Sequence, residues 1–145
     1  MSYFEIIIAV IAVVALIPAT WIPLHIFRAG KFNNAAEKFK EAFTEEVRFI
    51  NRDYAVDRAG RDIPEILAAA ADKHEKAFVV FKDGFLSKFQ RTEIEKAWKT
   101  YTGDDKLMGK YTFRQYATHN KFKDAENIRR LALERIEEIL KFAKH

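Results

Sequence analysis

Hydrophobic residues follow two different patterns along this chain. Residues 6–27 form one apolar run without a single Asp, Glu, Lys or Arg. Further along, from residue 33, apolar side chains recur every three or four positions between charged ones, which is the period of amphipathic helices. The sequence therefore predicts a transmembrane anchor with a hinge over residues 1–32 and a soluble helical domain over residues 33–145.

The run 6–27 is long enough to cross a bilayer as one helix. Its length corresponds to roughly 33 Å at about 1.5 Å per residue, and the hydrocarbon core is about 30 Å thick. A cleavable signal peptide is disfavoured, because Glu5 is the one charged residue before the run and no small-x-small cleavage site follows. The basic residues Arg28 and Lys31 come after the run. We therefore expect a single-pass protein of the inner (cytoplasmic) membrane, with its N-terminus outside and its domain in the cytoplasm.

The second half of the apolar run has features of a membrane interface. Two prolines can kink a helix there, and tryptophan is enriched where the membrane meets water. The predicted membrane-interface residues are Pro18, Trp21, Pro23, His25, Arg28 and Lys31. The alternative is a functional kink that shapes contacts with other membrane helices.

Four helices are expected in the domain, from their apolar stripes and their start and stop signals. The fold class is therefore all-α, with one N-terminal transmembrane helix and a small bundle of about four helices. The predicted helices are Ala35–Asn51 after a hinge at Ala29–Gly30 and a cap at Asn34, a second from Asp62-Ile63-Pro64 to Asp83–Gly84, a third from the capping box Thr92–Glu95 to Gly103, and a fourth from Ala125 to Ala143.

The segment 103–123 is the least regular part of the domain, with one short helix expected near Phe113–Ala117. It mixes basic and aromatic side chains, a composition that can bind lipid headgroups, an acidic partner or single-stranded nucleic acid. The simpler interpretation is a connector whose aromatic rings fill the core while its basic groups face water. The candidate recognition surface consists of Lys110, Tyr111, Arg114, Tyr116, His119 and Lys121.

Composition argues against an enzyme. The chain has no cysteine, which excludes thiolate metal sites and Cys nucleophiles, and its four histidines are too far apart for a local metal-binding pair. His74-Glu75 begins like a zinc-protease motif, but Phe78 stands where the second histidine is required. Glycine-rich phosphate loops and serine-nucleophile motifs are also missing. We therefore expect no catalytic residue, cofactor or metal.

The order of these features resembles small uncharacterised bacterial single-span membrane proteins with a helical cytoplasmic domain. The stretches that carry the resemblance are Phe39–Phe43, Lys73–Ala77, Glu95–Trp98 and Ile136–Ala143, in addition to the apolar run. The resemblance covers most of the chain and implies a bacterial inner-membrane protein. It brings no known activity and no catalytic residue.

The function expected from these patterns is that of a membrane-tethered, non-enzymatic interaction module, an accessory subunit or adaptor of a membrane complex. Its partners would be the lipid bilayer and other membrane protein subunits or a second copy of itself. One alternative is a membrane effector of the toxin or phage-defence type, which acts by oligomerisation of its span. Another is binding of anionic lipid or nucleic acid through residues 106–123, with nucleic acid the less favoured ligand.

Overall fold

The computed structural model describes residues 28–51, 62–117 and 125–144 of the chain. The chain divides into two compact units, Met1–Asn34 and Ala35–His145. The predicted span 6–27 and the segment 52–61 between the first two predicted helices lie outside the described residues. Within the described ranges, no helix is both long enough and apolar enough to cross a membrane.

The described part of the chain is mainly helical, which confirms the prediction of a helical bundle. Four α-helices account for most of it. In chain order the elements are α1 (28–51), α2 (Ile63–Phe85), α3 (Lys88–Thr102), the hairpin strands β1 (Lys106–Leu107) and β2 (Lys110–Tyr111), a 3-10 turn at Arg114–Tyr116, α4 (Ala125–Leu140) and a second 3-10 turn at Lys141–Ala143.

Helix α2 starts where the sequence predicts. Asp62 is its N-cap, and the Asp62 carboxylate accepts a hydrogen bond from the Glu65 backbone N–H at 3.1 Å. Pro64 in the first turn has no backbone N–H that could be left unsatisfied. The helix ends at Phe85, close to the predicted end at Asp83–Gly84, and stops before the buried Leu86.

The predicted start of α3 is wrong by five residues, which is more than one helical turn. The capping box is formed by Ser87 and Gln90, whose side chains bond each other's backbone N–H groups. Thr92 lies inside the helix, where its hydroxyl donates to the Lys88 carbonyl. The pattern of a hydroxyl followed three residues later by Glu or Gln occurs at both places, and the structure uses the earlier one. Gly103 ends the helix in the left-handed region at φ 74°, as predicted.

Two further predictions about the first helix are wrong. Residues 28–51 are helical throughout, so neither the hinge at Ala29–Gly30 nor the helix start at Asn34 is present. A glycine weakens a helix without necessarily ending it, and an asparagine caps a helix only where the preceding residues are not helical. The buried stripe of α1, formed by Ala36, Phe39, Phe43 and Ile50, also contains Glu46, whereas the adjacent Val47 is half-buried.

Aromatic rings bring α1, α2 and α3 together. Phe39 of α1 stacks on Phe81 of α2, with ring centroids 4.6 Å apart. Phe78 of α2 stacks on Trp98 of α3 at 4.4 Å. The inner face of α4 is buried through Ala132, Ile136 and Ile139, as its apolar spacing predicts.

A small β-hairpin follows α3, in the segment predicted to be irregular. Lys106 pairs with Tyr111 and Leu107 with Lys110, and Met108 and Gly109 form the turn. The expected short helix near Phe113–Ala117 is present as the 3-10 turn Arg114–Tyr116. The hairpin and this turn both pack against α2.

Candidate functional site

A buried cluster of hydrogen-bonded polar groups in the unit Ala35–His145 is centred on His74. This side chain is fully buried on α2. Its Nε2 lies 3.0 Å from Oε2 of Glu46 on α1, and its Nδ1 lies 2.8 Å from the hydroxyl of Tyr101 on α3. Phe43 covers one face of the imidazole, with ring centroids 4.1 Å apart. The histidine thus connects three helices through two hydrogen bonds.

Lys73 completes this group of residues, which we call the His74 network (Glu46, Lys73, His74 and Tyr101). The Lys73 Nζ donates to both carboxylate oxygens of Glu46, at 2.8 and 3.0 Å. Burial alone would raise the pKa of Glu46, but the hydrogen bonds from His74 and Lys73 outweigh it and lower that pKa from 4.5 to about 2. Glu46 is therefore ionised at neutral pH and accepts hydrogen bonds from both neighbours.

The ionised carboxylate decides where the protons of the network lie. Because a carboxylate only accepts, Nε2 of His74 carries a proton and donates it to Glu46. Burial, with smaller contributions from Tyr116 and Glu46, holds the pKa of Tyr101 well above its usual value. The phenol thus keeps its proton, and its hydroxyl lies within hydrogen-bond distance of Nδ1 of His74.

This network is closed to solvent at its centre. His74 and Tyr101 are both 0% exposed. Among the described residues, every buried side-chain nitrogen or oxygen has a hydrogen-bond partner. A proton can shift along such a chain, but no side chain of the central pair is placed to meet a substrate. The hydrogen bonds of the network therefore join α1, α2 and α3.

The sequence contained a signal for this network. His74 lies on the buried stripe of α2, three residues after Ala71 and four before Phe78, where every other member is apolar. A histidine at such a position needs buried hydrogen-bond partners. The hydrogen-bond partners of His74 are 28 and 27 residues away in sequence, so the adjacent Glu75 does not indicate them.

The structure separates the candidate recognition residues into two groups. Lys110 and Arg114 are exposed, and Nε of Arg114 lies 3.7 Å from Asp105. Tyr111 and Tyr116 are buried, with 9% and 1% of their surfaces exposed. His119 and Lys121 lie outside the described residues.

Both buried tyrosines use their hydroxyls inside the unit. The Tyr111 hydroxyl accepts from the indole N–H of Trp98 at 3.2 Å and donates to Glu75 at 3.4 Å. The Tyr116 hydroxyl donates to the Tyr101 carbonyl at 2.7 Å, and burial raises its pKa to about 12. These side chains hold the hairpin and the 3-10 turn against the helices.

Of the predicted membrane-interface residues, Pro18, Trp21, Pro23 and His25 lie outside the described residues. Arg28 and Lys31 are both helical and exposed.

Surface grooves beside Glu46 and beside Arg135 are lined by described residues. One, of about 270 Å³, opens beside Glu46 and Lys73 and is otherwise lined mainly by apolar residues of α1 and α2. The other, of about 220 Å³, lies between α3 and α4 beside Arg135. Across the ranges 28–51, 62–117 and 125–144, no group of three His, Asp or Glu side chains could hold a metal ion.

Comparison of the chain with protein-family models, curated proteins and solved structures gives no match.

Proposed function

We propose that this chain is a membrane-tethered interaction module, an accessory subunit or adaptor that presents its helical domain to protein partners at the cytoplasmic face of a membrane. The tether is the apolar run 6–27, which has the length and composition of a membrane span. The module is the helical unit Ala35–His145.

The observation that carries the proposal is apolar surface exposed outside the buried core of the described residues. Large aromatic side chains such as Phe43, Phe81 and Tyr101 are fully buried, so the core does not lack hydrophobic residues. Even so, Phe89 is 77% exposed in the first turn of α3, and Val80 is 66% exposed on α2. An exposed aromatic side chain removes a large apolar surface from water when it contacts a second molecule, which stabilises that contact.

The His74 network supports a binding role over a catalytic one. Its imidazole and phenol are sealed among aromatic rings, and its bonds join helices that are far apart in sequence. Such a network rigidifies a scaffold, and a rigid scaffold loses less entropy when it binds a partner. The membrane-effector alternative stays a prediction, because it depends on a span that lies outside the described residues.

Membrane fractionation of the full-length chain, expressed in bacteria, tests the proposal. We expect the chain to resist alkaline carbonate extraction and, after mild detergent solubilisation, to elute in an assembly larger than the monomer. A matched control carries Val10→Arg and Val14→Arg in the apolar run, which should release the chain into the soluble fraction because charged residues are costly at the bilayer centre. Carbonate-soluble wild type, or a lone monomer without crosslinked partners, would contradict the proposal.

A further inference from the structure

The turn of the β-hairpin has a residue that its backbone does not favour. Met108 and Gly109 both have positive φ, at 52° and 79°. This is the geometry of a two-residue I′ turn, for which Asn-Gly or Asp-Gly is the preferred pair. Met108 takes the first position although side chains other than Asn, Asp and Gly are strained there.

Packing inside the described domain does not explain this methionine. Met108 is 96% exposed, and Leu107 beside it is 60% exposed. The chain thus places two apolar side chains at the convex end of a hairpin, at a site where asparagine would suit the backbone better. A strained backbone that displays exposed apolar groups indicates a contact made outside the domain.

Charge around the turn indicates the nature of that contact. The tip consists of Lys106, Leu107, Met108, Gly109 and Lys110, so it carries two positive charges and no negative one. Lys110 has no ion-pair partner within the described residues. Lys106 lies 4.1 Å from the centre of the Tyr111 ring and 3.6 Å from a Glu75 oxygen, and it is still about two-fifths exposed.

The base of the hairpin is held firmly. The Thr112 N–H donates to the Asp105 carbonyl at 3.0 Å, and the Thr112 hydroxyl donates to the Asp105 carboxylate at 2.7 Å. Below it, Tyr111 bonds to Trp98 in the core. The acidic groups Asp104 and Asp105 lie at this base, before the first strand, and Arg114 is close to Asp105. The apolar tip is therefore carried on an anchored hairpin, with Lys110 next to the turn and Lys106 further back, near Glu75 and Tyr111.

We propose that the hairpin tip, residues 106–110, inserts Leu107 and Met108 into the headgroup region of an anionic bilayer, with Lys106 and Lys110 contacting lipid phosphates. Two apolar residues on a convex turn offer far less area than a stable protein interface, which needs about 800 Å² on each side. A bilayer interface accepts a small apolar wedge, and basic residues beside it bind acidic headgroups. The inference rests on the proposed function in one respect, since a tethered domain has a bilayer within reach.

Because the chain has no cysteine, single-cysteine labelling can test the insertion. Full-length Met108→Cys carrying the environment-sensitive dye NBD would be reconstituted in nanodiscs of 30% phosphatidylglycerol in phosphatidylcholine, and in phosphatidylcholine alone. We expect a blue-shifted emission, and quenching by nitroxide-labelled lipid, in the anionic discs. Val80→Cys, labelled in the same way at an exposed apolar site on α2, is the matched control and should remain water-like in both.

Charge reversal supplies the second arm of the experiment. Lys106→Glu with Lys110→Glu in the Met108→Cys chain should abolish the shift and the quenching while the chain still co-purifies with the nanodisc. A label at 108 as water-exposed as the label at 80 would overturn the inference, as would equal quenching in neutral discs. A shielded label without lipid quenching would also overturn it, because it indicates a protein contact. Failure of the wild-type chain to enter nanodiscs would instead count against the tether.

Discussion

Neutralising Glu46 perturbs the His74 network at its most charged point. Glu46→Gln keeps the size of the side chain and one acceptor for the N–H of His74. It removes the negative charge that accepts two hydrogen bonds from Lys73 and one from His74. We therefore expect a lower free energy of unfolding at neutral pH, and a change in how that free energy depends on pH.

The magnitude follows from the pKa of Glu46, which falls from 4.5 to about 2 on folding. At about 1.4 kcal/mol for each pH unit, the ionised carboxylate stabilises the folded state by about 3 kcal/mol. The Glu46 side chain is 8% exposed but that of its partner Lys73 is 44% exposed, so solvent screening reduces this value somewhat. Since the pKa is lowered by folding, the stabilisation is fully present above about pH 4.5 and is lost as the pH falls towards 2.

The assay is urea denaturation of the full-length chain in non-denaturing detergent, followed by tryptophan fluorescence at pH 7, 5, 4 and 3. Replacing Trp21 by Phe in every variant leaves Trp98 in the core as the sole tryptophan. Glu46→Gln should cost about 2–3 kcal/mol at pH 7, and its difference from wild type should shrink steadily below pH 4.5.

Glu45→Gln is the matched control for this prediction. Glu45 is the neighbouring carboxylate, its side chain is 70% exposed, and it lies 3.9 Å from the same Lys73 ammonium. An exposed pair of this kind contributes little, so the variant should stay within about 0.5 kcal/mol of wild type at every pH. A pH-independent difference between Glu46→Gln and wild type, or equal losses in the two variants, would refute the reasoning.

Three further predictions, covering five substitutions, test other parts of the fold by urea denaturation in the same detergent. Tyr101→Phe should cost about 1–3 kcal/mol, because it leaves a buried imidazole nitrogen without a partner; a loss below about 0.5 kcal/mol would contradict that role. Ser87→Ala should cost about 1 kcal/mol as the loss of a helix cap, with Thr92→Ala nearly neutral, and the reverse order would place the start of α3 at the later residue. Gly84→Ala should stabilise α2 by up to about 1 kcal/mol, whereas Gly103→Ala, at positive φ, should destabilise by at least about 1 kcal/mol; equal effects would be inconsistent with these backbone conformations.

Local signals in the sequence predicted the helices because each signal acts over a few residues. The Asp62 cap with its proline, the stop at Gly103 and the apolar spacing of α4 are all found where the pattern places them. The error at α3 has a local cause, since Ser87 and Thr92 both satisfy the same capping pattern. The residue that caps the helix is Ser87, which directly follows the buried Leu86 at the end of the connection from α2.

The candidate site was less predictable, because it depends on contacts between distant residues. Glu46, His74 and Tyr101 are each about one helix apart in sequence, and no spacing rule connects them. Likewise, composition alone marked Tyr111 and Tyr116 as possible surface residues, whereas packing against Trp98 and Tyr101 decides that they are buried. The hairpin was not anticipated, since an I′ turn with methionine lacks the usual Asn-Gly signal.

Position-specific photocrosslinking at Phe89 tests the claim of a membrane-tethered interaction module most directly. A photoreactive amino acid would replace Phe89, exposed in the first turn of α3, or Lys99, exposed near the end of the same helix. Crosslinking would be carried out in intact cells, and the membrane fraction would then be analysed by mass spectrometry. We predict one defined protein adduct from position 89 in the membrane fraction and none from position 99. No adduct at 89, or the same adducts at both positions, would contradict the account.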